Sequence, residues 1–229
     1  MGISPFYRGA IAASTQPPVN LGPYDLPNTF ALELWMNAQT DITGSPGVTA
    51  IGDLSGNGNN TTTITGAPII SSAAYNGHDA IAFTNNQATI PDLGPSSAWT
   101  VWVVATTTAD SQWVNDSSNK QFRVLQSNAQ TMSFFNGQNP ISATLPSNSS
   151  NLNIYTWRYD SGTLLMHQNG SLLYNGSAAN NSFGINRLFV SSTGEWTDTI
   201  IYSTYQANSD VNTLGSELAS YYNLSWTNV

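Results

Sequence analysis

A chain of 229 residues with 40% hydrophobic content carries enough apolar material for one real core, and all-β sandwiches of this length are commonly single domains. Its net charge of -8, with Lys120 the single lysine, leaves no basic surface for a phosphate backbone, so nucleic acid is excluded as an expected partner. The lack of cysteine excludes a disulfide framework and thiolate metal sites, and no stretch approaches the ~18 apolar residues of a membrane span, so no membrane insertion is expected.

Only 8% of the residues are charged, while Asn, Ser, Thr and Gly are abundant, a mixture that favours strands and turns over helices. Residues 1–29 stand apart. Pro5, Pro17, Pro18, Pro23 and Pro27 interrupt any periodicity, because proline fixes φ and withdraws a donor. The segment reads as an extended docking arm whose apolar and charged side chains, Phe6, Tyr7, Arg8 and Tyr24, need a larger surface to lie on.

From Phe30 the strands begin, and residues 30–229 read as one sandwich domain. Phe30–Met36 alternates Leu32, Leu34 and Met36 against Glu33 and Trp35. A loop through Gly44, Pro46 and Gly47 leads to a short strand at Val48–Ile51, and the segment Asp53–Asn59 reads as a turn or loop. Ala80–Thr84 is a short strand, and Trp99–Thr106, almost continuously apolar, predicts a central strand buried on both faces. Further strands are expected at Gln121–Gln126, Thr131–Asn136, Arg187–Ser191 and Thr197–Tyr205, with Gly194-Glu195-Trp196 as a turn between the last two. Tyr155–Tyr159, Thr163–Gln168 and Ser171–Tyr174 form a meander whose second turn, Asn169-Gly170, is a strong hairpin signal. Val211, Leu214, Leu218, Tyr221 and Tyr222 follow helical spacing from Ser209 to Tyr222, with Ser209 or Asp210 available as a cap.

The order LELWMNA, IGDLSGNGNN, WTVWVVATTT, YDSGTLLMHQNGSLLYNG, INRLFV, GEWTDTIIYS and a closing ANSDVNTLGSELASYYNL resembles the concanavalin A-like lectin/glucanase superfamily. Within it, the pattern is similar to the laminin-G-like jelly-roll domains of phage and bacterial surface proteins, over residues 30–226. The resemblance implies an all-β fold: a two-sheet antiparallel jelly-roll sandwich with an extended N-terminal arm and one short C-terminal helix.

Glucanases of that superfamily carry two glutamates bracketing an aspartate on one strand. Here Glu33, Glu195 and Glu217 are isolated, and the odd spacing of Glu195 and Asp198 predicts opposite faces, so no catalytic residues are expected and the chain reads as a non-enzyme. His167, mid-strand in the meander, reads as a packing residue. For calcium, Asp53 and Asn57 are weak candidates, because the ion favours several carboxylates whereas this loop reads as a set of Asx-type turns. No cofactor is expected. Trp99, Trp102 and Trp157 lie in strand patterns and are expected inside, whereas Trp113, flanked by polar residues up to Asn115 and Asp116, is the expected exposed glycan contact.

Composition and resemblance together favour a structural protein of a tailed-phage virion, a capsid decoration, neck or fibre component. The arm would dock to other virion proteins or to sister subunits of a homo-oligomer such as a trimer. The alternative is a lectin-like carbohydrate-binding module for host surface glycans.

Overall fold

A computed structural model describes Leu26 and residues 31–116, 120–126, 130–137, 139–179 and 182–229. The arm residues Phe6, Tyr7, Arg8 and Tyr24 lie outside the described residues. In chain order the strands are β1 (Leu32–Asn37), β2 (Ile42–Thr43), β3 (Ala50–Ile51), β4 (Thr63–Thr65), β5 (Ile69–Tyr75), β6 (His78–Thr89), β7 (Ala98–Ala105) and β8 (Ser111–Asn115). They continue with β9 (Lys120–Leu125), β10 (Thr131–Asn136), β11 (Pro140–Thr144), β12 (Asn153–Asp160), β13 (Thr163–Gln168), β14 (Ser171–Ser177) and β15 (Arg187–Tyr202), before helix α1 (Asn208–Tyr222). The fold is an all-β sandwich closed by a C-terminal helix, as the sequence predicts.

Strand β15 is the spine. Its first half pairs with β6 on one edge and β8 on the other, and its second half pairs with β1 and β7, all antiparallel. One strand therefore belongs to two sheets, a corner that proteins make through bulges. The front sheet runs β6-β15-β8-β9-β10-β11, with β4 and β5 on the far edge of β6, and the back sheet runs β1-β15-β7-β12-β13-β14. The expected turn at Gly194-Glu195-Trp196 is instead unbroken strand with register shifts, the last between Trp196 and Asp198.

Between the sheets lies the main core, including Leu34, Phe83, Val101, Trp113, Phe122, Phe134, Trp157 and Phe189. A second apolar cluster lies on the outside of the back sheet, where Trp35, Trp102, Val104, Ile154 and Ile200 meet Val211, Leu214 and Leu218 of α1. Each such side chain contributes about 1.5–3 kcal/mol on burial. Helix cover on one side and core on the other explain why β7 is buried on both faces. Leu26 packs against this same cluster. The helix starts at Ala207 with no side-chain cap, so neither Ser209 nor Asp210 plays the expected role; Asp210 sits in the first turn.

The free edge of β1 is covered by the Asp53 loop. The Asp53 carboxylate accepts from the N–H of Trp35 (3.0 Å), the N–H and hydroxyl of Ser55 (2.9 and 2.7 Å) and the N–H of Asn59 (2.8 Å). Asn57 donates to the Leu32 carbonyl (2.6 Å) and Asn59 to that of Glu33 (2.8 Å), so side chains complete a ladder that would otherwise be an open edge. Both oxygens of Asp53 are committed to protein donors. Asp53→Ala is expected to cost about 2–4 kcal/mol in urea unfolding, since hydrogen bonds to charged groups are the stronger kind. Chelation with EDTA is expected to leave the melting temperature of the unaltered protein in place, and a clear drop would reveal an ion at Asp53 and Asn57.

Candidate carbohydrate-binding face

Strands β8, β9 and β10 each send apolar residues inward and polar ones outward. Phe122 and Val124 face the core from β9, which turns Gln121 and Arg123 out; Met132 and Phe134 do the same on β10, turning out Ser133 and Phe135. Register joins these into rows. Arg187, Asn115, Gln121 and Phe135 stand opposite one another across four strands, and the next row holds Val190, Gln112, Arg123, Ser133 and Ser142. The strand spacing makes the patch on β8 to β10 about 10 Å across and about 7 Å along the strands.

Its side chains are linked. Asn115 donates to the Gln112 side-chain carbonyl at 2.8 Å, and Arg123 Nη1 donates to the Gln121 side-chain carbonyl at 3.2 Å. The Ser133 and Ser142 hydroxyls pair with each other. The Arg123 guanidinium sits 5.2 Å from the centre of the Phe135 ring, a cation–π contact that fixes both. Burial lowers the Arg123 pKa from its usual range, and the charge of Asp110 opposes that shift. Asn115, Gln121 and Ser133 are buried although they lie on the outer face, and Arg123 and Phe135 are half-buried beside them. Two polar atoms on this face, Arg123 Nε and Asn115 Oδ1, are buried without a hydrogen-bond partner among the described residues. The face thus keeps a donor next to an aromatic ring and an acceptor two strands from it, and α1 packs on the other sheet.

The expected glycan contacts separate. Asn115 lies on this face, but Trp113 is wholly buried in the core, edge-on to Phe189, which corrects its reading as an exposed loop residue. The cause is a bulge: pairing shifts between Gln112 and Val114, so Trp113 and Val114 both point inward. Asp116 is buried at the end of β8, where it bonds the Lys120 N–H at 2.6 Å and pairs with its ammonium at 3.4 Å. Trp99, Trp102 and Trp157 are fully buried, as expected. Gln112, Gln121, Arg123, Phe135 and Arg187 were not singled out by sequence reasoning, although the alternation of KQFRVL assigns Gln121 and Arg123 to one face.

The bulge in β15 also overturns the opposite-face expectation for Glu195 and Asp198. With one extra residue between Trp196 and Asp198, Glu195 and Asp198 both turn away from the side on which Trp196 joins the main core. Each is then taken by a tyrosine: Tyr75 donates to Glu195, and Tyr222, with Asn37 at 2.8 Å, donates to Asp198. Burial and the adjacent carboxylates raise both phenol pKa values, so the protons stay on oxygen. Asp198 is completely buried beneath Tyr222 of α1. Among the described residues, no group of three or more His, Asp or Glu side chains is placed to hold a metal ion.

No protein family matches this sequence, and no curated protein does. Solved structures do match by fold. Domain 4 of an extracellular GH43 arabinanase from Geobacillus stearothermophilus, solved with arabinotriose, is 14% identical with a TM-score of 0.56, over 80% of this chain and 98% of that one. A GH54 α-L-arabinofuranosidase is 11% identical with a TM-score of 0.60, over 77% and 51%. The ligand-binding domain of botulinum neurotoxin serotype D, solved with N-acetylneuraminic acid, is 10% identical with a TM-score of 0.57, over 82% and 51%. The chain spans nearly the whole arabinanase domain and about half the length of the other two. At these identities the likeness is one of fold.

Proposed function

We propose that the chain is a non-catalytic carbohydrate-binding module that takes glycans on the outer face of β8, β9 and β10. The observation that carries the reading is two buried atoms on one face, Arg123 Nε beside the Phe135 ring and Asn115 Oδ1 two strands away, that have no partner among the described residues. A sugar offers what they lack: vicinal hydroxyls that donate and accept, and a C–H face that rests on an aromatic ring. Arg123 and Arg187 on one face of an acidic protein favour a sugar bearing a carboxylate. Fold neighbours solved with arabinotriose and with N-acetylneuraminic acid support glycan binding over a role confined to building a virion. The non-catalytic part rests on Glu195 and Asp198, both engaged by tyrosines, and on rows that hold no carboxylate.

A glycan array followed by calorimetric titration of the best ligand tests this. Arg123→Ala and Phe135→Ala are each expected to weaken binding at least tenfold, about 1.4 kcal/mol, at an unchanged melting temperature. Binding that survives both substitutions would place the glycan elsewhere.

A further inference from the structure

On the outer side of the back sheet, under the start of α1, the polar accounting does not close. Thr156 stands directly opposite Trp102 on β7 and His167 on β13, and Arg158 lies two residues further along β12. Gln206 joins them from the loop before α1, accepting from Trp102 Nε1 at 3.0 Å through its side chain and from Arg158 Nη1 at 3.2 Å through its carbonyl. Thr156, Arg158, His167 and Gln206 are each no more than 1% exposed. Among the described residues, three of them also have a buried polar atom without a partner, Thr156 Oγ1, Arg158 Nε and His167 Nδ1, while the Gln206 amide reaches the Tyr202 hydroxyl. Buried polar groups in native proteins are almost always satisfied, so three neighbouring exceptions mark a place where something else binds.

The chemistry of the three atoms narrows the guest. Arg158 Nε only donates, the Thr156 hydroxyl is free to donate, and His167 Nδ1 donates in one neutral tautomer. A ligand that only accepts satisfies all three. Charge points the same way. Arg158 is a buried guanidinium whose bonded acceptors, the Gln206 carbonyl and Asn208 Oδ1 (2.7 Å), are neutral, and among the described residues it forms no salt bridge. The Tyr205 ring, 5.1 Å away, stabilises a cation but does not neutralise it. Helix α1 begins beside it without a side-chain cap, so its positive end adds to the same field, with Asp210 of the first turn and the exposed Asp160, on the same side of β12, against it. An unpaired buried charge is costly, and water would satisfy the hydrogen bonds while leaving the charge.

We propose that Thr156, Arg158 and His167 form an interior site for a small anion, separate from the proposed glycan face on the opposite sheet. The test uses the full chain and sodium formate as probe, following the Arg158 Nε–H resonance by NMR. Expected is a saturable shift of that resonance, with about tenfold weaker affinity in Thr156→Val, which removes one donor and keeps the shape. A resonance that formate leaves unmoved, as it would be with ordered water alone in the site, overturns the proposal, and so does an equal response in Thr156→Val. The unaltered protein decides the question even where the variant fails to fold.

Discussion

Gly194→Val is expected to lower the melting temperature by about 10 °C or more, because the strand that unites the two sheets cannot carry a side chain at its bend. Gly194 has φ of +146°, a conformation open essentially to glycine, and a Cβ there would collide with the backbone carbonyl oxygen of Thr106. That backbone cannot retreat. The Thr106 N–H donates to the Glu195 carbonyl and the Glu195 N–H to Thr106 Oγ1, both at 2.8 Å, locking the end of β7 to the bend. Strain at such a position costs about 1–3 kcal/mol, and losing the paired hydrogen bonds adds about 1 kcal/mol each. For a domain of this size each kcal/mol is worth about 2–4 °C. A melting temperature within about 2 °C of the unaltered protein would show that the corner relaxes freely.

His167 is expected to give the fold a pH dependence that begins above the range in which carboxylates titrate. Burial, and then the Arg158 charge, push its pKa down to about 4. The unfolded value is about 6.5, so between these limits the unfolded chain binds the extra proton and stability rises with pH. The contribution is fully present above pH ~6.5 and is lost progressively as pH falls through ~4. Linkage over that interval amounts to about 3 kcal/mol at most, of which about 2 kcal/mol falls between pH 7 and pH 4.5. Urea unfolding at those two values, in bulky zwitterionic buffers, compares the unaltered protein with His167→Gln so that the carboxylates cancel. A difference between the two proteins that does not change with pH would mean that His167 is protonated inside the fold.

The elements legible in the sequence are those whose periodicity is least disturbed. β12 alternates between the main core and the layer under α1, the pairing of β13 with β14 shifts only between Met166 and His167, and the helix at Asn208–Tyr222 lays one face on the back sheet. Bulges hid the rest. In β8 two successive inward residues, Trp113 and Val114, break alternation and make a strand look like a loop with an exposed tryptophan. In β15 the glycine that permits the bend is the residue type that ordinarily announces a turn. Edge strands such as β5 and β11 have little to bury and so little pattern to read. The proposed glycan face was half visible. Alternation places Gln121 and Arg123 on the polar side of β9, but only the register with β8 and β10 sets Asn115 and Phe135 beside them. Register between strands is a tertiary fact, which one strand's sequence does not carry.

The most direct test of the glycan-binding account is amide chemical-shift mapping of the full chain on titration with its best array ligand. The residues expected to be perturbed are Gln112, Asn115, Gln121, Arg123, Ser133 and Phe135, with Arg187 joining them for a carboxylated sugar, while β13 and β14 stay silent. Perturbations confined to the β13–β14 hairpin or to the loops, with β8, β9 and β10 unmoved, would contradict it.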